Sequence, residues 1–267
     1  MEYSLAQLID AYLTYIEVEK NCSGTTVRNY THWLRRFSRW SNIHGINAPT
    51  RITPEAVKQY TSYIRRLTGD KQMQKNTINY HLIALRSFLS YLNKRGIAAM
   101  PKHKVVLSRT VPREREVPLD ESEARQLIAA SACSTESLKI KQRDTALLAL
   151  LVHTDLRVSE VAALLRSDIR LHRKECVHRR GAAYLAQQLP RTACEALREY
   201  LEGRKDSYPA LFIRYDRTAD TKSPQSMNKR SLSHRSIQRI VSRYSLRAGI
   251  QKAITPEVLR RTTLTDR

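Results

Sequence analysis

Hydrophobic residues in the first hundred positions recur every three or four residues, the spacing that places them on one face of an α-helix. Four such segments are separated by short polar stretches, and Gly96 ends the fourth. Thr53 and Pro54 suit the N-cap and the first turn of the third segment. The apolar stripes are Leu5, Leu8, Ile9, Tyr12, Leu13 and Ile16; Val27, Tyr30, Leu34 and Phe37; Val57, Tyr60, Ile64 and Leu67; and Ile78, Leu82, Leu85, Leu89 and Leu92. The pattern predicts a four-helix domain over residues 1–96.

The helical period breaks over residues 97–117, which hold two prolines and five basic residues. We interpret this stretch as a linker between domains. A basic linker between two basic domains suits a clamp that closes around a duplex, and a passive tether is the alternative.

Residues 118–267 predict a second domain in which helices alternate with a few short strands. Asp120 suits the start of a helix, and Thr145–His153 is apolar all round, as in a buried central helix. The remaining predicted elements are a helix over Val158–Leu165, two or three strands within 171–189, a helix over Pro190–Gly203, a strand over Ala210–Arg214, a basic loop over 215–231, a helix around Ile237–Tyr244 and a last helix from Pro256 to the chain end. The predicted fold class is therefore mainly α with a small β-sheet in the second domain.

Charge narrows the choice of partner. The chain has 47 Lys and Arg against 25 Asp and Glu, a net charge of +22. The excess is spread along the chain, since residues 1–100 carry 14 basic and 6 acidic side chains and residues 118–267 carry 28 and 17. A folded body that is basic throughout indicates a long polyanion, and double-stranded DNA is the expected partner. A solvated basic surface is the alternative.

Several classes of protein are not indicated. The four cysteines are scattered without zinc-ligand spacing, and the sequence has no Gly-rich phosphate loop and no HExxH or GxSxG motif. We therefore expect no metal, no cofactor and no small-molecule substrate. The N-terminus has no apolar signal region, and the longest apolar run, Ala146–Val152, is too short to span a bilayer. A cytoplasmic protein with no membrane association is expected.

One charged residue stands out between two apolar helices. Arg157 follows the central helix, where a charge needs a partner or a ligand. The stretch 154–161, TDLRVSEV, resembles the TGLRVSEL box of the tyrosine recombinases, also called phage integrases. The stretch 165–169, LRSDI, is similar to the family's L-x-W-x-D-I segment, and 254–262, ITPEVLRRT, resembles its second arginine box. Residues 1–96 resemble the family's helical core-binding domain, so the resemblance covers nearly the whole chain.

The resemblance implies a helical core-binding domain followed by the mixed α/β catalytic-type domain of DNA breaking-rejoining enzymes. Arg157 and Arg260 would clamp the non-bridging oxygens of one phosphate, a task that suits the permanently charged guanidinium group. In the family, a hairpin Lys protonates the leaving oxygen and a His assists. A Tyr attacks to form a 3′-phosphotyrosine without metal or ATP. We also expect copies to associate on DNA. The alternative for Arg157 is a buried ion pair with Asp155 or Glu160.

The basic residues of the first domain supply the other candidate contacts. The candidates for DNA binding are Arg28, Arg35, Arg36, Arg39, Arg65, Arg66, Lys75 and Arg86. Those in residues 28–39 lie largely off the apolar stripe, so the alternative is a solvated face of which only some members touch DNA.

The sequence also departs from the family pattern. Arg180 stands at the hairpin Lys position, and a guanidinium is a poor general acid. Glu257 stands where the family has a His, and its carboxylate would repel a phosphate unless it were protonated or turned outward. No Tyr follows Arg260, so the nucleophile is not in this chain. His153 and His178 are expected to be structural or surface residues.

Two functions therefore remain open. One is an enzyme, most of a site-specific recombinase whose final helices are missing from the sequence given. The other is a non-catalytic DNA-binding relative that acts as a regulator or an accessory subunit.

Overall fold

The computed structural model describes residues 3–67, 73–109, 117–215 and 230–262. The chain divides into two compact units, with the boundary between Pro112 and Arg113, and each unit has its own hydrophobic core. Helices dominate both, and the second also contains a three-stranded sheet. The predicted fold class is confirmed. None of the described helices is long and apolar enough to cross a membrane.

The first unit contains the four predicted helices. They are α1 (Leu5–Val18), α2 (Gly24–Ile43), α3 (Pro54–Arg66) and α4 (Lys75–Lys94). The hydroxyl groups of Ser4, Ser23 and Thr53 each accept a backbone N–H in the first turn of the helix that follows, so the sequence itself fixes three starting points. The apolar stripes meet in a core whose largest buried side chains include Tyr12, Phe37, Tyr60 and Phe88.

Residues beyond α4 stay attached to this first unit, which differs from the predicted linker. Met100 and Val105 are buried in its core. The Arg86 Nε donates to the Val105 carbonyl at 2.8 Å, and Asn79 exchanges two hydrogen bonds with Ser108. The apolar side chains in IAAMPKHKVVL explain the attachment, because they complete a core that four helices leave open. The later part of the predicted linker, 110–116, lies outside the described residues.

The second unit is built around α6. Its elements are α5 (Glu121–Ala132), α6 (Leu138–His153), α7 (Val158–Ala163), β1 (Ile169–Arg170), β2 (Glu175–Arg180), β3 (Ala183–Gln188), α8 (Arg191–Glu202), α9 (His234–Arg247) and α10 (Pro256–Arg260). Helix α6 packs against α5, α8 and α10, as expected of a central buried helix. The strands form an antiparallel sheet in the order β1-β2-β3.

Several predicted elements have different bounds: the helix predicted over Val158–Leu165 ends at Ala163, and the first strand, Ile169–Arg170, lies before the predicted range 171–189. The central helix begins at Leu138 and not at Thr145, and residues Ala210 and Ile213 form isolated bridges to Leu165 and Ser231 where a strand was expected. The last helix ends at Arg260 and does not run to the chain end. The predicted loop over 215–231 falls mostly outside the described residues.

The early start of α6 has a clear physical reason. Arg143 and Asp144 look like surface residues, but both are buried and they pair with each other, with Nε to Oδ1 at 2.8 Å. The Arg143 guanidinium also donates to the Ile213 carbonyl at 3.1 Å. A paired and hydrogen-bonded charge is accepted in a protein interior, so a polar sequence there does not end the helix.

Candidate functional site

The turn between α6 and α7 fixes the position of Arg157. Thr154 is buried and its hydroxyl donates to the Leu150 carbonyl at 2.6 Å, while Leu156 is fully buried. The intervening Asp155 and the following Arg157 are therefore exposed. The backbone N–H of Arg157 donates to the Glu160 carboxylate at 2.7 Å, which caps the start of α7.

The guanidinium of Arg157 has no hydrogen bond or ion pair to any residue in the described part of the chain. The alternative expectation, a buried ion pair with Asp155 or Glu160, is wrong, because Arg157 is exposed and both carboxylates bind Arg180 instead.

Arg180 ends β2 and joins the hairpin to this turn. Its Nε lies 2.8 Å from Glu160 Oε1, and its Nη1 lies 3.1 Å from Asp155 Oδ2. These hydrogen bonds hold the pKa of both carboxyl groups below their ordinary values and raise the pKa of Arg180 further. Arg180 is therefore a fixed positive charge and not a proton donor.

The hairpin that carries Arg180 closes in two residues. Arg180 pairs with Ala183, and the turn between them has Gly181 at a positive φ of 67°. Glycine at the first central position of a two-residue turn is what the twist of a β-hairpin favours. The end of β2 therefore has a defined direction toward the α6–α7 turn.

Arg260 lies on α10, the short helix of the second arginine box. Thr255 caps this helix, and Val258 and Leu259 are buried, which leaves Arg260 at the rim. Its Nε donates to Glu257 Oε2 at 3.0 Å. That bond lowers the pKa of Glu257, with a further contribution from Arg261, so the exposed Glu257 carboxylate is ionised at neutral pH. Glu257 thus neutralises the arginine beside it.

Electrostatic interactions connect α10 to the hairpin and the turn. The Glu257 carboxylate has the largest effect on the pKa of Arg260 and raises it. The charge of Asp155 also raises this pKa, and the charge of Arg180 lowers it. Arg260, Arg180 and Asp155 therefore lie within interaction range, although they are separated by up to 105 residues in sequence (260 against 155).

Two further polar side chains lie on the inner face of this hairpin. His178 is only 4% exposed, and both of its ring nitrogens lack a hydrogen-bond partner. Its charge nevertheless lowers the pKa of Asp155 and of Glu160, which places it beside them. Gln187 also lowers the pKa of Asp155, and its buried Oε1 has no partner in the described part of the chain. The period of β2 was the available signal for His178, because residues two apart share a face and Arg180 follows it by two.

The candidate DNA contacts of the first unit fall into two groups. Two of them have partners within the first unit, which indicates a structural role. Arg86 donates a hydrogen bond to the Val105 carbonyl, and the half-buried Arg36 lies 3.5 Å from His81 Nε2. The exposed group consists of Arg28, Arg35, Arg39, Arg65, Arg66 and Lys75. Arg28 folds back onto its own helix, with Nε 3.2 Å from the Gly24 carbonyl.

The described residues contain no group of three or more His, Cys, Asp or Glu side chains arranged to hold a metal ion. The charged side chains of the candidate site are arginines and carboxylates.

Comparison with known proteins gives this arrangement a context. The sequence model of the phage integrase family matches residues 117–266, and that of the phage integrase N-terminal SAM-like domain matches residues 9–96. The chain belongs to the phage integrase family, the tyrosine recombinases. The family model covers the two arginine boxes and the hairpin between them.

Curated relatives and solved structures agree with this assignment. Tyrosine recombinase XerC of Bacillus pumilus is 28% identical over 263 residues, which are 97% of this chain and 82% of the relative. Tyrosine recombinase XerC of Thermodesulfovibrio yellowstonii is 29% identical, over 95% of this chain and 80% of the relative. A lambda integrase dimer bound to a COC′ core site has a TM-score of 0.66 at 16% identity, over 98% of this chain and 88% of that one.

In the structure, both residues that depart from the tyrosine recombinase pattern, Arg180 and Glu257, form ion pairs. The residue at the hairpin Lys position, Arg180, is tied to two carboxylates, and the residue at the His position, Glu257, is tied to Arg260. Neither carries a proton that it could readily deliver at neutral pH.

Proposed function

We propose that this tyrosine recombinase family member binds double-stranded DNA and holds one backbone phosphate with Arg157, Arg180 and Arg260. The observation that carries the proposal is the meeting of the hairpin, the α6–α7 turn and α10 around Asp155, which Arg180 contacts and whose charge acts on Arg260. These are three separate elements of the second unit, each of which ends in an arginine.

The chemistry of the three side chains suits a phosphate ester. Guanidinium groups donate paired hydrogen bonds to phosphate oxygens and keep their charge at any physiological pH. Arg157 is exposed and has no competing carboxylate, so it would make the first contact. Arg180 and Arg260 would exchange their carboxylates for the phosphate.

The rest of the interaction would be electrostatic. The net charge of +22 and the exposed arginines of the first unit supply attraction to the DNA backbone and release of counterions. A lambda integrase dimer has been solved on DNA, and we propose that copies of this chain likewise associate on a duplex, in the cytoplasm.

We further propose that the polypeptide of residues 1–267 binds DNA without cutting it. No tyrosine follows Arg260, and Tyr200 and Tyr244 are buried, with pKa values raised by burial. A buried, protonated phenol is a poor nucleophile. The alternative is catalysis by a longer polypeptide that adds a tyrosine after residue 267, and it would use the same phosphate site.

Salt-dependent binding of a random-sequence duplex tests the proposed DNA contact. Affinity should fall steeply between 50 and 200 mM salt. Arg157→Ala and Arg260→Ala should each weaken binding by about 1–3 kcal/mol, because each removes a charged hydrogen-bond donor. Arg125→Ala, on an exposed i,i+4 pair of α5, is the matched control for the loss of one charge. A flat salt response, or a clear preference for RNA, would contradict the proposal.

The double variant sharpens this test. If both arginines serve one phosphate, the losses in Arg157→Ala/Arg260→Ala should not add. Thermal melts must accompany the binding data, and Arg157→Ala should leave the melting temperature unchanged because its guanidinium has no partner among the described residues. A large loss of stability would make Arg157 a structural residue.

A trapping experiment separates binding from cleavage. A nicked suicide substrate, built on a sequence selected for tight binding, would retain any protein that attacks it as a covalent adduct. The polypeptide 1–267 should give none. An adduct mapped to any tyrosine of this chain would show that it cuts DNA by itself.

A further inference from the structure

His178 is a buried polar side chain that the phosphate site leaves unexplained. It is 4% exposed, and neither ring nitrogen has a hydrogen-bond partner. Buried polar groups are nearly always paired, so each exception calls for a reason. Nearby, the Oε1 of Gln187 is also buried without a partner. Two buried polar groups without partners on one face of the sheet indicate that they gain hydrogen bonds in another arrangement of the site.

The charged groups that surround His178 come from every element packed against it. Asp155 lies on the α6–α7 turn, Glu160 on α7, and Arg180 two residues along the same strand. On β3 the polar neighbour is the neutral Gln187, and on α10 the pKa of Arg260 responds to the charges of Asp155 and Arg180. Asp168, just before β1, acts on Cys176, which lies two residues before His178 on the same strand. His178 is thus next to two carboxylates whose hydrogen-bonding capacity Arg180 takes up.

The position of Arg180 decides which cation these carboxylates hold. Arg180 makes four of their hydrogen bonds, at 2.8, 3.1, 3.1 and 3.4 Å. Its side chain is 30% exposed at the end of the hairpin, so it can turn toward solvent without opening the core. If it turned to a phosphate, Asp155 and Glu160 would become two uncompensated negative charges beside the His178 imidazole. Such a setting favours protonation of the imidazole, which then has two N–H donors.

We propose that His178 is a positioning residue that takes up one proton from solvent when Arg180 moves from Asp155 and Glu160 to a DNA phosphate. The proposal rests on the phosphate site proposed above. In the exchange, the Arg180–carboxylate bonds break and Arg180–phosphate bonds form. The added proton gives His178 an N–H for the vacated carboxylates, while Arg180 keeps its own charge throughout. DNA binding by this chain is then coupled to proton uptake, and lower pH favours it.

The first experiment is a pH profile of DNA affinity at constant ionic strength, from pH 8 to pH 6. Wild-type affinity should increase by roughly tenfold more than that of His178→Gln over this range, since one linked proton changes affinity by at most tenfold per pH unit. His172→Gln, at an exposed histidine between β1 and β2, is the matched control and should follow the wild type.

The second experiment needs no DNA and no substitution of His178. In Arg180→Gln the two carboxylates lack their guanidinium, so this variant imitates the protein after the exchange. The NMR titration midpoint of the His178 imidazole should move to higher pH than in the wild type, because a neighbouring positive charge has been removed. The midpoint of His172 should not move.

The outcomes separate this proposal from the one on which it rests. Parallel pH profiles of the wild type and His178→Gln, or an unchanged His178 midpoint in Arg180→Gln, would overturn the proton coupling while DNA binding stands. A wild-type protein that fails to bind duplex DNA at low salt would overturn the proposed function itself. If His178→Gln does not fold, the NMR comparison alone decides.

Discussion

The two units of this protein differ in how many of their arginines are bound by a carboxylate. In the described part of the first unit one ion pair is present, between Arg95 and Glu19, and arginines such as Arg35 and Arg39 are exposed without carboxylates. In the second unit Arg143, Arg180, Arg204 and Arg260 are each held by an acidic side chain. The surface of the first unit offers diffuse attraction that salt screens. The second unit holds guanidinium groups in fixed directions, at the cost of competition from their own carboxylates.

This difference separates two tasks that one basic protein must perform. Long-range attraction needs only charge near the surface, so the arginines of α2 require no precise partners. Recognition of a single phosphate, the role proposed for Arg157, Arg180 and Arg260, needs defined directions of the N–H groups, which the turn, hairpin and helix that carry these side chains would supply.

Removal of a buried arginine should destabilise the second unit alone. The Arg204 side chain is fully buried and donates to Asp206 at 3.0 Å and to the carbonyls of Ala210 and Leu211 at 2.6 and 2.7 Å. Arg204→Ala leaves these acceptors without a donor, so the unfolding free energy should fall by about 3–5 kcal/mol.

Both tryptophans of the chain, Trp33 and Trp40, lie in the first unit, which allows the two units to be followed separately. Circular dichroism should report the loss in Arg204→Ala, and the transition in tryptophan fluorescence should stay in place. Arg191→Ala, in an exposed pair with Glu195, is the control and should shift neither. A shift of the fluorescence transition in Arg204→Ala would contradict independent units.

Acid should weaken the first unit through His81. Burial, followed by the charges of Arg36 and His32, lowers the pKa of His81 to about 4. Because the unfolded chain binds this proton near pH 6.5, stability present above that pH is lost as pH falls toward 4. The loss is about 2 kcal/mol at pH 5.

Denaturant titrations followed by tryptophan fluorescence at pH 8 and pH 5 measure this loss. His81→Phe should flatten the dependence, whereas substitution of the exposed His32 should flatten it less. In the second unit the pKa values of the Asp155, Glu160 and Glu257 carboxyl groups are lowered. Acid should therefore reduce the stability of that unit only below about pH 4.5. Equal acid sensitivity of the wild type and His81→Phe would argue against His81 as the titrating group.

Exposed arginines of the first unit should affect the salt dependence of DNA binding more than its sequence preference. Arg35→Ala/Arg39→Ala removes two neighbouring charges on α2. If both contact phosphates, the slope of log affinity against log salt should decrease by about 2. Arg95→Ala, an arginine already paired with Glu19, should change the slope less.

The substitution Glu257→Gln should change DNA affinity the least, and it should increase the affinity where the other substitutions decrease it. Loss of this carboxylate frees Arg260 from its partner, so DNA affinity should rise by roughly two- to threefold, the range of an exposed charge pair. Glu195→Gln, which frees the surface residue Arg191, controls for the change in net charge. A decrease in affinity would mean that Glu257 is needed to orient Arg260.

The sequence predicts most of the fold because the apolar spacing is clear where the core is apolar. This spacing predicts the four helices of the first unit, with the cap at Thr53 and the end at Gly96, and the order of elements in the second unit. Prediction fails where polar residues are buried, as at Arg143 and Asp144, which pair with each other and also bind the distant residues Ile213 and Tyr244. It also fails at Ala210–Arg214, where an apolar run fills the core without joining the sheet.

The sequence predicts which arginines form the candidate site, but it does not predict which carboxylates they bind. The two arginine boxes identify Arg157 and Arg260, and the hairpin Lys position identifies Arg180. The alternative from local spacing paired Asp155 or Glu160 with the nearest arginine, Arg157. In the structure they bind Arg180, which lies 20 or more residues away. Short spacing cannot reveal a competing guanidinium that a hairpin brings from elsewhere.

The two-residue turn at Gly181 also limits which changes of length the hairpin can accept. Side chains alternate between the faces of a strand, so with β2 held in place one inserted or deleted residue between Gly181 and β3 would offset the pairing and reverse the faces of β3. Tyr184 and Ala186 would then lie on the face that Leu185 and Gln187 occupy, although every backbone hydrogen bond could still form. Among related sequences, hairpin lengths that keep the same β3 residues beside Arg180 and His178 should therefore differ by even numbers of residues.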